Sequence, residues 1–196
     1  MATPSFPVST FSNYASRLAS ALQNQDWEPL GRLAAELQAA WEQDRHVFIC
    51  GNGGSAANAL HWANDFLYPV NPKGEHGIRM HALPANSAVL TCLGNDIGYD
   101  GIFSRQLSTL ARVGDLLIVL SGSGNSPNIL RVLEQAREMK VKTVALLGYS
   151  GGAARKLADL VIHFQVNDMQ IAEDMQLIAG HMILQALRKE QGSETK

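Results

Sequence analysis

Two short stretches rich in glycine and serine have the residue types that bind phosphate. Residues 51–55 (GNGGS) and 121–126 (SGSGNS) each follow an apolar run and precede a segment with helical periodicity. Glycine lets the backbone turn so that its N–H groups face one anion, hydroxyls add donors, and a helix start adds partial positive charge. Two such loops in one small chain predict a site for a phosphorylated ligand held between them.

An imidazole and a carboxylate are spaced to act together on the helix that follows the first loop. His61 and Asp65 are four residues apart, so they share one face of that helix. The spacing suits half of a divalent-metal site, or an acid–base pair. The same spacing also suits an ordinary surface contact, so further candidate ligands elsewhere in the chain are needed to choose between these interpretations.

The last predicted helix supplies a second set of such residues. Asp174 and His181 are seven residues apart and share a helical face. Glu173 and His181 are eight residues apart, roughly 12 Å along an ideal helix. The sequence alone does not decide which acid acts with His181, whose apolar neighbours also fit a histidine packed in the core.

Short apolar strands alternate with helices from residue 46 onward. The predicted strands lie near 46–50, 78–83, 115–120, 142–147 and 159–164, and the predicted helices near 54–67, 87–95, 101–112, 126–139, 152–158 and 170–189. This alternation predicts an α/β fold with a doubly wound parallel sheet covered on both faces. Ligands bind such sheets at the carboxyl ends of the strands, where both glycine-rich loops lie.

The chain divides into three parts by its sequence patterns. Two helical patterns precede the first strand, and we expect residues 1–45 to be a helical extension for oligomerisation, although a cover on the sheet would give the same pattern. Residues 46–189 form the predicted main domain, which contains a Pro/Gly-rich loop at 69–77. Residues 190–196 are a predicted polar tail.

Composition excludes several classes of function. The chain has 196 residues, a net charge of −2 and no basic stripe, which argues against nucleic-acid binding. Its two cysteines, Cys50 and Cys92, have no metal-ligand spacing and are too few for a disulfide scaffold. No apolar run is long enough to span a membrane, and residues 1–16 lack the basic start of a signal peptide. We therefore expect a cytoplasmic protein.

The first loop also fits a dinucleotide-binding fingerprint, which the rest of the sequence contradicts. Gly51, Gly53 and Ala56 match the Gly-x-Gly-x-x-Gly/Ala pattern. That pattern expects an acidic residue at the end of the second strand to bind the ribose, and the stretch at 77–87 has none. The second phosphate-type loop at 121–126 is not expected in that scheme either.

Four ordered motifs resemble the SIS (sugar isomerase) domain family, and most closely its phosphoheptose isomerases. They are CGNGGSAANALHWANDF, LTCLGNDIGYDGIFSRQL, GDLLIVLSGSGNSPNIL and VALLGYSGG, and the resemblance runs from about residue 46 to 188. It implies a five-stranded, flavodoxin-like parallel sheet and a homotetramer with active sites between subunits. It also implies isomerisation of sedoheptulose 7-phosphate to D-glycero-D-manno-heptose 7-phosphate through an enediol(ate).

The same resemblance implies roles for individual residues. Asp65 would be the catalytic base and His181 the acid/base that moves the oxygen-bound proton. One zinc ion per subunit would be held by His61, Asp65, Glu173 and His181. The implied substrate-binding residues are Asn52, Gly53, Gly54, Ser55, Asn95, Asp96, Ser121, Gly122, Ser123, Ser126 and Glu173.

The chain departs from the family's pattern at several positions. Asp65 is one methylene shorter than the expected Glu, and Glu173 replaces Gln and adds a negative charge. Gly122 replaces a Thr, the stretch at 83–87 replaces a Ser/Thr-Asp stretch, and the basic residue expected within 66–69 is missing. These changes leave the phosphate loop intact and alter the far end of the pocket.

Two alternatives stay open from the sequence. A non-catalytic tetrameric SIS adaptor that binds the replication initiator shares a motif similar to SAANALH, but that type loses the final histidine, which is present here as His181. An isomerase acting on another sugar phosphate is the other alternative, because Asp65 and the 83–87 stretch change the pocket.

Overall fold

The computed structural model describes residues 7–68, 70 and 76–190. Its elements, in chain order, are α1 (Val8–Gln23), α2 (Glu28–Glu42), β1 (His46–Gly51), α3 (Gly54–Leu67), β2 (Arg79–Ala82), α4 (Ser87–Asp96), α5 (Ser104–Leu110), β3 (Leu116–Ser121), α6 (Pro127–Glu138), β4 (Lys142–Leu147), α7 (Ala154–Leu157), β5 (Leu160–His163) and α8 (Met169–Glu190). Short 3₁₀ turns at Leu83–Ala85 and Tyr99–Gly101 flank α4. The elements predicted from residue 46 onward are confirmed, and the largest difference in a boundary is three residues, at the start of α5.

Five parallel strands form a sheet with the order β2-β1-β3-β4-β5. The sheet starts at β1. The chain then adds β2 on one side and crosses to β3 on the other, so the winding reverses between β1 and β3. The two strands pair in register over five residues, from Val47 opposite Leu116 to Gly51 opposite Leu120. The reversal opens a crevice at their carboxyl ends. The flavodoxin-like, doubly wound prediction is confirmed.

Alternate residues of the strands fill two hydrophobic layers, one on each face of the sheet. Val47 and Ile49 of β1 join a cluster that contains side chains of α2, α3 and α8. Phe48 and Cys50 face the opposite cluster, which α5, α6 and α7 cover. The three central strands, β1, β3 and β4, are therefore buried on both sides, which explains why they are apolar runs rather than alternating patterns, whereas the edge strand β2 exposes Arg79 and His81.

The two N-terminal helices pack against the core to different extents. α2 buries Leu33 and Leu37 completely in the cluster beside α3 and α8. α1 has no buried residue, and Phe11 on its surface is 63% exposed. The structure thus places α2 as a cover on the sheet, while a role of residues 1–45 in oligomerisation stays a prediction.

Parts of two predicted segments lie outside the described residues. These parts are residues 69 and 71–75 of the predicted loop at 69–77, and residues 191–196 of the predicted polar tail, whose first residue, Glu190, ends α8. Within the described part of the chain, no helix combines the length and the apolar character needed to cross a bilayer.

Candidate active site

His61, Asp65 and His181 meet where α8 packs against α3. The His61 and His181 Nε2 atoms lie 3.0 Å apart, and the Asp65 Oδ2 atom lies 3.3 Å from His61 Nε2 and 3.6 Å from His181 Nε2. The imidazoles are nearly half exposed, whereas the Asp65 side chain is only 14% exposed. The structure therefore brings together three of the residues predicted from the two helices.

The spacing of these three atoms fits a bound divalent metal. Two imidazole nitrogens and a carboxylate oxygen are ligands that zinc takes, at about 2.1 Å each. Two ligands of a tetrahedral centre with such bonds are roughly 3.4 Å apart by simple geometry. The observed separations of 3.0, 3.3 and 3.6 Å bracket that value. Three protein ligands with one position left over is the arrangement of a catalytic zinc site rather than a structural one.

Close packing of α3 and α8 sets this geometry. Trp62, between the two cluster residues of α3, is buried and donates its indole N–H to the Gln176 carbonyl at 3.2 Å. Gly180 lies against the Trp62 ring so closely that a Cβ there would collide with it. Because His181 directly follows Gly180, the approach of the helices decides where its imidazole lies.

Two acidic residues at the start of α8 make contacts outside the cluster. Asp174 accepts a hydrogen bond from the Tyr14 hydroxyl at 2.6 Å, which raises the pKa of Tyr14 to about 12. Glu173 turns the other way, and its carboxylate lies against Gly54, where a Cβ would collide with it. Among the described residues, the metal-competent cluster holds His61, Asp65 and His181 without Glu173. Glu173 starts about two helical turns before His181, so its role as a fourth ligand stays a prediction.

The first glycine-rich loop turns sharply between β1 and α3. Gly53 has φ +57° and ψ −123°, a conformation that favours glycine. The Asn52 amide donates to the Asn128 Oδ1 atom at 2.9 Å, and Asn128 donates back to Asn52 Oδ1 at 2.8 Å. Tyr99 also donates its hydroxyl to Asn52 Oδ1, at 3.0 Å. The reciprocal amide pair ties the first loop to α6, which follows the second loop.

The second loop is shaped by its own serine hydroxyls. Ser121 Oγ accepts from the Gly124 N–H at 3.0 Å, and Ser123 Oγ accepts from the Asn125 N–H at 3.3 Å. Each hydroxyl still has its own O–H to donate. Ser126 directly precedes α6, so the loop also meets a helix N-terminus. These features make the loop a suitable cradle for an anion.

A departure from the family's pattern in this loop has a structural reason. A Cβ on Gly122 would collide with the Met169 sulfur at the start of α8. The loop and the first turn of α8 therefore pack together only if residue 122 lacks a side chain or Met169 moves. Met169 places the start of α8 beside the second loop.

The remaining predicted substrate-binding residues differ in exposure. Ser55 is nearly buried under the first loop, with 3% exposure. Asn95 and Asp96 are exposed at the end of α4, where the Asn95 amide donates to Asp96 at 2.8 Å. The Asp96 carboxylate also accepts from the Cys92 thiol, which raises the pKa of that thiol. The roles of these residues toward a sugar stay predictions.

The sequence analysis missed Asn128 and Tyr99. Asn128 is 1% exposed, and a buried amide needs partners. Its partner Asn52 is 76 residues away in the chain, so no local pattern shows the pair. The available signal was a polar residue, Asn128, near the start of α6, two residues after the predicted phosphate loop at 121–126.

Comparisons with known proteins agree with this geometry. The family model described as SIS domain matches residues 10–148, which is more than half of the chain. The chain belongs to the SIS domain family. The match includes most of α1 and all of α2, so the N-terminal helices are part of the SIS resemblance.

Similar proteins place this SIS domain chain among the phosphoheptose isomerases. It is 35% identical over 185 residues to the phosphoheptose isomerase of Aliarcobacter butzleri, covering 93% of this chain and 96% of that protein. It is 40% identical over 156 residues to that of Rhodospirillum rubrum, covering 80% of each. The solved structure of phosphoheptose isomerase GmhA from Neisseria gonorrhoeae superposes with a TM-score of 0.85 at 27% identity, covering 92% of this chain and 98% of that one.

Proposed function

We propose that this protein isomerises sedoheptulose 7-phosphate to D-glycero-D-manno-heptose 7-phosphate. The observation that carries the proposal is the meeting of His61, Asp65 and His181 at metal-ligand spacing. This cluster occurs in a chain whose relatives are phosphoheptose isomerases, and the chain also has an anion cradle at the carboxyl end of β3. A non-catalytic adaptor would have no need of such a cluster.

The phosphate would bind in the loop at 121–126. The hydroxyls of Ser121, Ser123 and Ser126 would donate to its oxygens, and the N-terminus of α6 would add favourable charge. The first loop, tied to α6 through Asn52 and Asn128, would contact the sugar chain. The Asn95 amide would donate hydrogen bonds to sugar hydroxyls or accept them, and the Asp96 carboxylate would accept them.

Isomerisation needs a group that moves a proton between two neighbouring carbons and a group that moves one between their oxygens. Asp65 would take the proton from the carbon beside the carbonyl and return it to the next carbon of the enediol(ate). His181 would move the oxygen-bound proton. The two groups lie 3.6 Å apart, close enough to act on adjacent atoms of one substrate.

The residues of the cluster also fit a resident zinc ion. His61 and Asp65 would hold it, with Glu173 as the fourth ligand, and His181 Nε2 would be a ligand only while that nitrogen is not transferring a proton. A divalent ion bound there would polarise the carbonyl oxygen and so make the neighbouring carbon more acidic. We further propose that the protein is a cytoplasmic homotetramer. Sites between subunits would cover the exposed cluster and its apolar neighbours.

Deuterium exchange tests the proposed reaction directly. Purified protein supplied with zinc is incubated with sedoheptulose 7-phosphate in D₂O, alongside a panel of five- to seven-carbon ketose phosphates. We expect deuterium at the exchangeable carbon and formation of the aldose, both lost in Asp65→Asn and kept in His46→Ala, a histidine on β1 outside the cluster. No exchange and no aldose at high enzyme concentration would reject this substrate, and turnover of another ketose phosphate would identify the correct one.

A further inference from the structure

Tyr99 is an exposed aromatic residue that reaches the first glycine-rich loop. It is 60% exposed, and its hydroxyl donates to Asn52 Oδ1 at 3.0 Å. Gly98, with φ +88° and ψ 157°, lets the chain turn after α4 so that Tyr99 comes back toward the end of β1. The predicted sugar-binding residues Asn95 and Asp96 lie at the end of α4, just before this turn. One short segment therefore supplies all three of these side chains.

The Asn52 side chain has one hydrogen-bonding capacity left. Its carbonyl oxygen accepts from Asn128 at 2.8 Å and from Tyr99 at 3.0 Å, which uses both of its lone pairs. One N–H of its amide donates to Asn128 Oδ1 at 2.9 Å. Nothing among the described residues accepts from the other N–H, and Asn52 is only partly buried. A ligand group that bonds to the Asn52 side chain must therefore be an acceptor.

The Tyr99 hydroxyl has the opposite capacity. Its single proton is donated to Asn52, so its oxygen can form further hydrogen bonds only by accepting them. Hydrogen bonds in a chain polarise one another, so the donation to Asn52 makes this oxygen a better acceptor. Sugar hydroxyls are donors of the kind that it needs. An ionised phosphate has no such donor and would not bond to it.

The position of the Tyr99 hydroxyl is fixed relative to the loop at 121–126. Asn52 joins Tyr99 to Asn128, and Asn128 lies on α6 two residues after that loop. Asn128 is 1% exposed, so this end of the chain of hydrogen bonds is held in the packed interior. A ligand anchored by its phosphate in the second loop would therefore meet the Tyr99 oxygen at a set distance along its carbon chain.

We infer that Tyr99 is a substrate-binding residue whose hydroxyl oxygen accepts a hydrogen bond from one hydroxyl of the sugar chain. This inference depends on the proposed function, because it assumes that the loop at 121–126 holds the phosphate of a sugar. The Asn52 amide, which can only donate, would bond to a different oxygen of the same ligand. A sugar phosphate that lacks the matching hydroxyl would lose the contact with Tyr99.

Calorimetric titration of Tyr99→Phe tests the inference, because this variant keeps the ring and removes only the hydroxyl. The probes are a heptitol 7-phosphate, which has no carbonyl to isomerise, and inorganic phosphate. We expect the affinity for the heptitol phosphate to fall about 2- to 10-fold, the usual effect of one neutral hydrogen bond, and that for inorganic phosphate to stay unchanged. Tyr14→Phe is the matched control, since it removes a hydroxyl that donates to Asp174, and both affinities should stay unchanged.

A set of heptitol 7-phosphates that each lack one hydroxyl identifies the contact. We expect one of them to bind the wild-type protein and Tyr99→Phe equally, whereas the others keep the difference. Equal weakening of the heptitol phosphate and inorganic phosphate would show that Tyr99 only supports the loops, and would overturn the inference.

Unchanged affinity of Tyr99→Phe for the heptitol phosphate, in a protein that isomerises sedoheptulose 7-phosphate, would also overturn the inference and leave the proposed function standing. A folded wild-type protein that binds no heptitol phosphate and isomerises no ketose phosphate would overturn both.

Discussion

Asp65 lies between two imidazole rings that come from different helices. Its Oδ2 atom is 3.3 Å from His61 Nε2 and 3.6 Å from His181 Nε2. An aspartate holds its carboxylate closer to its own helix than a glutamate does. The short side chain therefore suits a site in which α8 brings His181 directly onto α3.

Removal of either imidazole should abolish tight metal binding. His61→Ala or His181→Ala takes away one of three ligands, and loss of even an outer-shell partner typically weakens metal affinity 10- to 100-fold. We expect zinc affinity to fall by more than about 100-fold in each variant, measured by competition with a chromogenic chelator.

His81→Ala is the matched control for this measurement. His81 lies on β2, where its ring stacks on His46 at a centroid distance of 4.9 Å, and it is not part of the cluster. Burial lowers the pKa of His81, and the nearby His46 lowers it further. Equal loss of zinc affinity in His81→Ala would show that the metal binds somewhere else.

At the scale of elements, the contact between α3 and α8 decides whether the site forms. Gly180 allows the backbone of α8 to approach the Trp62 ring, and the next residue, His181, then reaches Asp65. The packing of the fold and the geometry of the cluster of His61, Asp65 and His181 therefore depend on the same contact. A change in helix packing should alter stability and metal affinity together.

Gly180→Ala tests this dependence. The added methyl would collide with the buried Trp62 ring, and overpacking of this kind costs about 1–3 kcal/mol. Replacing a helical glycine by alanine restores about 0.5–1 kcal/mol, so we expect a net loss of about 1–2 kcal/mol in urea unfolding. Zinc affinity should fall as well, because His181 moves with α8.

Gly31→Ala is the matched control, because Gly31 lies in α2 with nothing within 4 Å of the position of a Cβ. We expect it to stabilise the protein by about 0.5–1 kcal/mol and to leave zinc affinity unchanged. A stable Gly180→Ala variant with normal zinc affinity would contradict the coupling between helix packing and the site.

Docking of α1 should depend on pH in the alkaline range. The hydrogen bond to Asp174 is the largest cause that raises the pKa of Tyr14 from 10.0 to about 12. Because the pKa is higher in the folded state, the stabilisation by this contact is complete below pH 10 and is lost as the pH rises through about 12. Ultraviolet titration should show one tyrosine with a midpoint near 12, absent in Tyr14→Phe. A wild-type titration without that step would contradict the contact.

The elements could be predicted from the sequence to a greater extent than the contacts between them. The apolar strand runs and helical spacings from residue 46 onward gave the correct order, because a buried parallel sheet needs such runs. The spacing of His61 and Asp65 on one helix also predicted a shared face correctly. The Asn52–Asn128 pair and the direction of Glu173 depend on the packing of elements distant in sequence, and no local pattern contains that information.

At the scale of the whole molecule, the cluster of His61, Asp65 and His181 lies on an exposed surface with apolar neighbours. Leu60 precedes His61 and is 43% exposed, and Met182 follows His181 and is 40% exposed. Exposed apolar side chains next to a functional cluster are typical of a surface that another subunit covers. A cavity of about 550 Å³ lies elsewhere, between α1 and β5, and none of the cluster residues line it.

Leu60→Glu should therefore disrupt the proposed tetramer. A charge buried in an interface without a partner is strongly unfavourable. We expect light scattering after gel filtration to give a tetramer for the wild-type protein and a smaller species for Leu60→Glu, with loss of isomerase activity. Val113→Glu is the matched control, since Val113 is 74% exposed and lies just before the amino end of the central strand β3, outside the cluster. A monomeric wild-type protein would contradict the prediction.

The paired amides of Asn52 and Asn128 also bear on how the protein ages. Asn52 precedes Gly53, and an asparagine followed by glycine is prone to deamidate when the next backbone nitrogen attacks its side-chain carbonyl. Here Asn128 and Tyr99 hold that carbonyl and its amide by hydrogen bonds, which keeps the side chain from turning toward its own backbone. Deamidation would put a carboxylate oxygen opposite Asn128 Oδ1 and break the pair. The contact that ties the first loop to α6 therefore also protects Asn52 from deamidation.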